Sequence, residues 1–146
     1  MTKRIYLDNS ATTRISDVAL KKYVEVSEGC FGNPSSLHSL GHEAELILKG
    51  ARETVLSSLG ARGTVVFTSS GSEANNLAIL GRAYSKERYK RGAKIITTDS
   101  EHASVNEPIK KLEAEGFKVA YIPTRGGVID LEMLKEELTP DVILVS

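Results

Sequence analysis

The sequence contains no tryptophan, one cysteine in 146 residues, and no excess charge of either sign, with 19 basic side chains against 19 acidic. Each absence removes a class of protein. One thiol cannot pair within the chain, so a disulfide framework is excluded. Zero formal net charge, with no block of five like charges, excludes the electrostatic footprint of nucleic-acid binding and a polybasic membrane patch. Any anion the chain takes must therefore be held by local groups. The start MTKRIYLDNSATT has two basic residues but no apolar signal-peptide core, and no run approaches the roughly 20 apolar residues of a membrane span. The expectation is a cytoplasmic protein. Hydrophobic residues make up 40% of the chain, and a length near the modal domain size buries a core without a metal or disulfide staple.

What is present is organised by hydrophobic period rather than by repeats or low-complexity tracts. Ser16 is placed to cap a helix over Asp17 to Glu28, with Val18, Tyr23 and Val26 among its apolar positions and Asp17 at the positive end. The irregular CFGNPSSLHS follows, and then Ala44, Leu48, Ala51, Val55 and Leu59 recur at steps of three or four, one face of a helix from about Gly41 to Leu59. From Thr64 onward the β-rich runs TVVFTS, KIITT, KVAYIP and DVILVS alternate with the helical segments SEANNLAILGRAYSKERYKR, SVNEPIKKLEAEG and DLEMLKEEL. Ser104 with Glu107 has the spacing of a capping box, Pro108 suits a first helical turn, and Gly116 is placed to end that helix. The alternation predicts an α/β fold: N-terminal helices over residues 1–62, then strands and helices over 63–146 forming a parallel sheet.

In open α/β sheets ligands bind outside the carboxyl ends of the strands, which directs attention to the loops there. VVFTSSGSEANN puts Gly71 between Ser70 and Ser72 where a strand is expected to turn into a helix. Orphan N–H groups, the helix dipole and a glycine that admits close approach suit a phosphate, with the two hydroxyls as further donors. An ordinary capped helix start is the alternative reading. The spacing matches neither G-x-G-x-x-G nor the nucleotide P-loop, which argues against a nucleoside triphosphate. Glu73 reads as a helix-start residue. His102 follows the second run at the same sheet edge. If the two strands are neighbours, imidazole and phosphate cradle converge, as a site for an aromatic phosphorylated ligand requires. His38 and His42 lack the third ligand of a metal site, so none is expected, and Cys30 has no cationic sequence neighbour to activate its thiol.

YLDNSATT, FGNPSSLHSLG, VVFTSSGSEANNLAI, IITTDSEHASV and DVILVS stand in the order and spacing of the NifS/IscS-type cysteine desulfurases, which the whole chain resembles. These are pyridoxal 5'-phosphate enzymes of the class V aminotransferase group. The resemblance implies part of the large domain of the aspartate aminotransferase-like, type I fold, truncated, with 63–146 an incomplete cofactor-binding domain. It implies that Gly71 and Ser72 hold the cofactor phosphate, and that His102 stacks on the pyridine ring and assists proton transfer. Ser72 stands where many relatives have Thr, and Ser70 where many have Gly. Asn9 to Thr13 and Asn33 to Ser36 resemble segments that border the active-site mouth.

The resemblance further implies conversion of L-cysteine to L-alanine, with sulfur passed through an enzyme persulfide to an iron–sulfur scaffold protein, in a homodimer. The Schiff-base Lys, the pyridinium Asp, the ring-contacting Asn and Gln, and the nucleophilic Cys fall beyond Ser146 in the family pattern. The 146 residues alone are thus expected to be inactive, with Cys30 a bystander. Readings left open are another class V activity of selenocysteine-lyase type, a noncatalytic binding or dimer module, and an anion-binding α/β module unrelated to the cofactor.

Overall fold

A computed structural model of the protein describes residues 5–85 and 92–146. The tail of the long helical run expected after Ser72, residues 86–91, lies outside the described residues. The chain divides into two compact units, Met1–Val66 and Phe67–Ser146. No helix among the described residues is long and apolar enough to cross a membrane.

The first unit holds α1 (Asp17–Gly29) and α2 (Ser39–Ser58). As its sequence predicts, α1 starts at Ser16, whose Oγ accepts from the Ala19 N–H at 3.2 Å. Its apolar positions remain open, with Val18 and Tyr23 both exposed. Two residues earlier than the apolar period suggests, α2 begins with His38 as its N-cap, Nδ1 accepting from Gly41 N–H at 3.3 Å. Its far end closes on Gly60 at φ 58°, with Ala61 N–H bonded to Leu56 O and Gly60 N–H to Ser57 O. This Schellman pattern satisfies carbonyls that a helix end leaves orphaned.

Between the helices, Asn33-Pro34-Ser35-Ser36 forms a tight turn. Ser36 N–H bonds to Asn33 O, and Ser35 N–H to Asn33 Oδ1, each at 2.9 Å. The turn packs onto Gly41, the one fully buried residue among those described in this unit. A Cβ there would lie 2.3 Å from Ser36 O and 2.8 Å from Asn33 O.

The second unit carries the core. Its elements are α3 (Gly71–Ala83), β1 (Lys94–Thr98), α4 (Ala103–Ala114), β2 (Lys118–Ile122), β3 (Thr124–Arg125), β4 (Val128–Ile129), α5 (Leu131–Glu137) and β5 (Val142–Val145). The sheet order is β2-β1-β5 with both pairings parallel, as the alternating pattern predicts. On one face Ile79 and Ala83 of α3 and Val105, Ile109 and Leu112 of α4 close over Ile95 and Ile143, all buried. Each fully buried aliphatic side chain contributes about 1.5–3 kcal/mol, so this layer outweighs the surface ion pairs, whose usual value is about 0–1 kcal/mol. On the other face Ile96, Ile122 and Val145 meet Ile129 and Leu134 around a cavity of about 200 Å³.

Three expectations are corrected. TVVFTS forms no strand among the described residues. Strands exist through partners, and both edges of β1 are taken by β2 and β5. The cap of α4 is His102 rather than Ser104, so Glu107 pairs with Lys110 instead of closing a capping box. Pro108 consequently sits in the second turn, where its ring removes the bond to the Ser104 carbonyl. Gly116 does end α4, at φ 94°, with Phe117 N–H on Leu112 O and Gly116 N–H on Glu113 O. Phe117 and Leu112 are both buried in the core, the apolar contact that accompanies this cap. The β3–β4 hairpin turns through Gly126 and Gly127, both at positive φ, the conformation a two-residue hairpin loop demands.

Replacing Gly41 with Ala should lower stability by about 1–3 kcal/mol, because two backbone carbonyls must move to admit the methyl group. Urea denaturation of the two proteins reads this directly, and equal midpoints would disprove the close packing. A second outcome concerns Glu73, whose carboxylate accepts from Ser69 N–H at 2.7 Å and Ser69 Oγ at 2.6 Å. These donors hold it below its ordinary value of 4.5. The native pKa is depressed, so the associated stabilisation is complete above 4.5 and disappears as pH falls through the native value. The stability advantage of wild type over Glu73→Gln should therefore shrink below that pH; a constant difference down to the acid limit would show the interaction to be neutral in origin.

Candidate functional site

The site forms at the start of α3, which follows the irregular segment 64–69. Ser70 is extended, with φ −161° and ψ 163°, and its Oγ accepts from Glu73 N–H at 3.2 Å. Ser70 thus acts as the helix cap, so its oxygen is engaged by the helix itself. Glu73, with its bonds to Ser69, is a helix-start residue as expected. Gly71 and Ser72 occupy the first two helical positions, where N–H groups have no carbonyl one turn back. Neither N–H, nor Ser72 Oγ, has an acceptor or donor partner among the described residues. A Cβ on Gly71 would meet no atom within 4 Å, so the approach to these groups is open.

His102 caps α4. Its Nδ1 lies 3.1 Å from the Ser104 N–H nitrogen and 2.9 Å from Ser104 Oγ. Its Nε2 has no protein partner among the described residues. Asn75, one turn into α3, donates from Nδ2 to the same Ser104 Oγ at 2.9 Å. The two helix starts are thereby tied together through three side chains. The link expected from neighbouring strands is made instead between neighbouring helices, through Asn75 and Ser104, since TVVFTS pairs with no strand among the described residues. Asn75 was not singled out by sequence, and Ser104 only as a helix cap. The available signal was the helical step of four from Gly71 to Asn75, which places both on one face.

The loop before His102 is fixed at both ends. Asp99 N–H donates to Ile122 O at 3.1 Å, and Asp99 Oδ1 accepts from Thr124 N–H at 2.9 Å and also from the Thr124 hydroxyl. Asn106 Nδ2 donates to Glu101 O at 2.7 Å, holding the chain just before the cap. The imidazole is therefore delivered from a braced turn even though it is itself exposed.

The other sequence candidates lie elsewhere. His38 serves as the α2 cap, and His42 Nδ1 stands 3.5 Å from Glu45 Oε2. Among the described residues no three His, Cys, Asp or Glu side chains are grouped to hold a metal. Cys30 ends α1, its N–H on Val26 O, and its half-buried side chain lines an apolar pocket with Val26, Pro34, Ala44 and Leu48. Asn9 to Thr13 and Asn33 to Ser36 belong to the first unit.

Comparison with known proteins agrees with the motifs. The chain is 44% identical over 144 residues to a NifS/IcsS protein homolog of Lactobacillus delbrueckii subsp. bulgaricus, covering 97% of this chain and 37% of that protein. It is 38% identical over 148 residues to a cysteine desulfurase IscS of Dictyoglomus turgidum, covering 100% of this chain and 37% of that protein. Among solved structures, a NifS-like protein superposes with a TM-score of 0.87 at 40% identity, over 98% of this chain and 39% of that one. The chain thus spans little more than a third of the length of these relatives. A family model described as aminotransferase class-V, a group of pyridoxal-phosphate-dependent enzymes, matches residues 5–146. With nearly its whole length matched and its fold shared with a NifS-like structure, the chain belongs to the aminotransferase class-V family.

Proposed function

We propose that the chain is the N-terminal part of a pyridoxal-phosphate-dependent cysteine desulfurase, and that Gly71, Ser72 and His102 are its contribution to the cofactor site. The observation that carries the reading is the linking of the α3 start, Gly71 and Ser72, to the His102 cap through Asn75 and Ser104. The chemistry of the donor set fits the cofactor. Two N–H groups and a hydroxyl that have no partner among the described residues, with the positive end of α3, suit a phosphate, and an exposed imidazole on a braced loop suits the face or edge of a flat ring. Glu73 does not oppose this, because its carboxylate is turned to Ser69.

When bound, the cofactor supplies an electron sink that labilises bonds at the substrate's α and β carbons. The residues of this chain hold and orient it. The α3 start grips the phosphate end through hydrogen bonds, and His102 offers Nε2 to whatever lies beside it. Its Nδ1 is engaged by Ser104. In the proposed reaction the C–S bond of L-cysteine breaks, a thiol of the complete protein gains the sulfur as a persulfide, and L-alanine leaves. That thiol is not Cys30, which sits at the end of α1 in an apolar pocket. The acceptor of the persulfide sulfur is read as an iron–sulfur scaffold protein, the complete enzyme as a cytoplasmic homodimer, and residues 63–146 as the part of the cofactor-binding domain present here.

In the complete protein, Ser72→Ala should weaken pyridoxal-phosphate binding by roughly tenfold, the loss of about 1–1.5 kcal/mol expected for one hydrogen bond. His102→Ala should slow cysteine turnover by about 100-fold or more, the contribution typical of a positioned proton-transfer group, while phosphate anchoring persists. Cofactor titration by absorbance and alanine release from cysteine measure the two effects. Equal cofactor affinity for wild type and Ser72→Ala would remove the α3 start as the phosphate site.

A further inference from the structure

The hydrogen bonds around His102 permit one arrangement of protons. The Ser104 main-chain N–H has only a hydrogen to give, and it lies 3.1 Å from His102 Nδ1. Nδ1 must therefore present a lone pair, and in the neutral ring the hydrogen resides on Nε2. Ser104 Oγ is 2.9 Å from the same Nδ1. A lone pair facing a lone pair would be repulsive, so the hydroxyl must also turn its hydrogen to Nδ1. That leaves the oxygen's own lone pairs for a third donor, and Asn75 Nδ2 fills this place at 2.9 Å. Asn75 reaches Ser104 from a different helix, and both side chains are half-buried while His102 is exposed.

We propose that Asn75 and Ser104 are positioning residues that select the tautomer of His102, fixing neutral His102 as a hydrogen-bond donor through Nε2. The relay runs Asn75 amide to Ser104 hydroxyl to Nδ1, whose single lone pair is shared between that hydroxyl and the Ser104 main-chain N–H. In that state Nε2 gives a hydrogen bond to a neighbouring acceptor and can pass its hydrogen on, because its in-plane orbital holds the N–H bond. Asn75 also lies one turn beyond Gly71, so the helix that offers Gly71 and Ser72 also holds the imidazole's proton in place. The proposal rests on the cofactor reading only for what Nε2 meets. The relay itself depends on nothing but this chain.

The test is imidazole nitrogen NMR of the ¹⁵N-labelled protein without added cofactor, recorded as a pH series so that the neutral form of the ring is identified from the spectra themselves. Loss of a signal set in His102→Gln assigns its resonances. Wild type should show His102 as the Nε2–H tautomer, with Nδ1 unprotonated. In Asn75→Asp the carboxylate accepts the Ser104 hydroxyl hydrogen, the oxygen then faces Nδ1 with a lone pair, and the Nδ1–H fraction should rise severalfold. In a Ser104→Ala background the same Asn75→Asp change should leave the ratio unmoved, and Ser104→Thr, which keeps the hydroxyl, should preserve the wild-type spectrum. A wild-type Nδ1–H tautomer would overturn the proposal, as would an Asn75→Asp effect that is absent or persists without the hydroxyl. Cofactor titration of the same samples is scored separately, so a failure to bind pyridoxal phosphate would count against the function and leave the relay standing.

Discussion

The C-terminal unit is built outward from β1. This five-residue strand is hydrogen-bonded on both sides, to β2 and to β5. Its Ile95 and Ile96 are fully buried, serving opposite faces of the sheet. A strand in that position cannot slip by one residue without exchanging its two apolar layers, so its register is strongly specified. The lysine at its start adds a polar anchor. Lys94 Nζ meets Glu137 Oε2 at 2.8 Å, Glu137 O at 2.7 Å and Thr139 Oγ1 at 3.0 Å, so all three ammonium donors are used. With its Lys94 side chain only 13% exposed, this ion pair is set apart from the surface pairs between neighbouring turns of single helices.

The site follows from that frame. At its carboxyl end β1 releases the Asp99 loop, which Thr124 and Ile122 hold against the end of β2. The loop delivers His102 to the start of α4. The same core that seats α4 on the sheet seats α3 beside it through Ile79 and Ala83, which brings Asn75 within reach of Ser104. Helix starts are places where main-chain donors lack partners. Among the described helix starts of this unit, that of α4 is filled by an imidazole and that of α5 by Asp130, while at the start of α3 the N–H groups of Gly71 and Ser72 have no partner among the described residues.

Much of this was legible in the sequence because it depends on short-range chemistry. Ser16 and Asp130 cap helices where they stand, and the alternation of KIITT, KVAYIP and DVILVS with helical segments is that of the parallel sheet. Among the described residues β5 pairs only with β1. The failures share a cause. TVVFTS has strand composition, but composition supplies no partner. Ser104 has cap spacing with Glu107, but His102 two residues earlier supplies a ring nitrogen at the right distance, and helix propensity carries no information about that competition. In the Arg125-Gly126-Gly127-Val128 hairpin the paired glycines between short β-prone residues carry the turn signal.

By itself the sequence determined the fold class, the family, and the residue types gathered around Gly71, Ser72 and His102, because motifs and periods are properties of neighbours along the chain. Only the tertiary structure decided which of those residues are already spoken for. Ser70 is consumed by its own helix, Glu73 by Ser69, and His102 Nδ1 by Ser104. It alone revealed Asn75 as the third member of a relay across 29 residues of chain. The physical reason is that a hydrogen bond has a direction and a limited number of partners. Who donates to whom is settled when the helices pack, not when the residues are written in order.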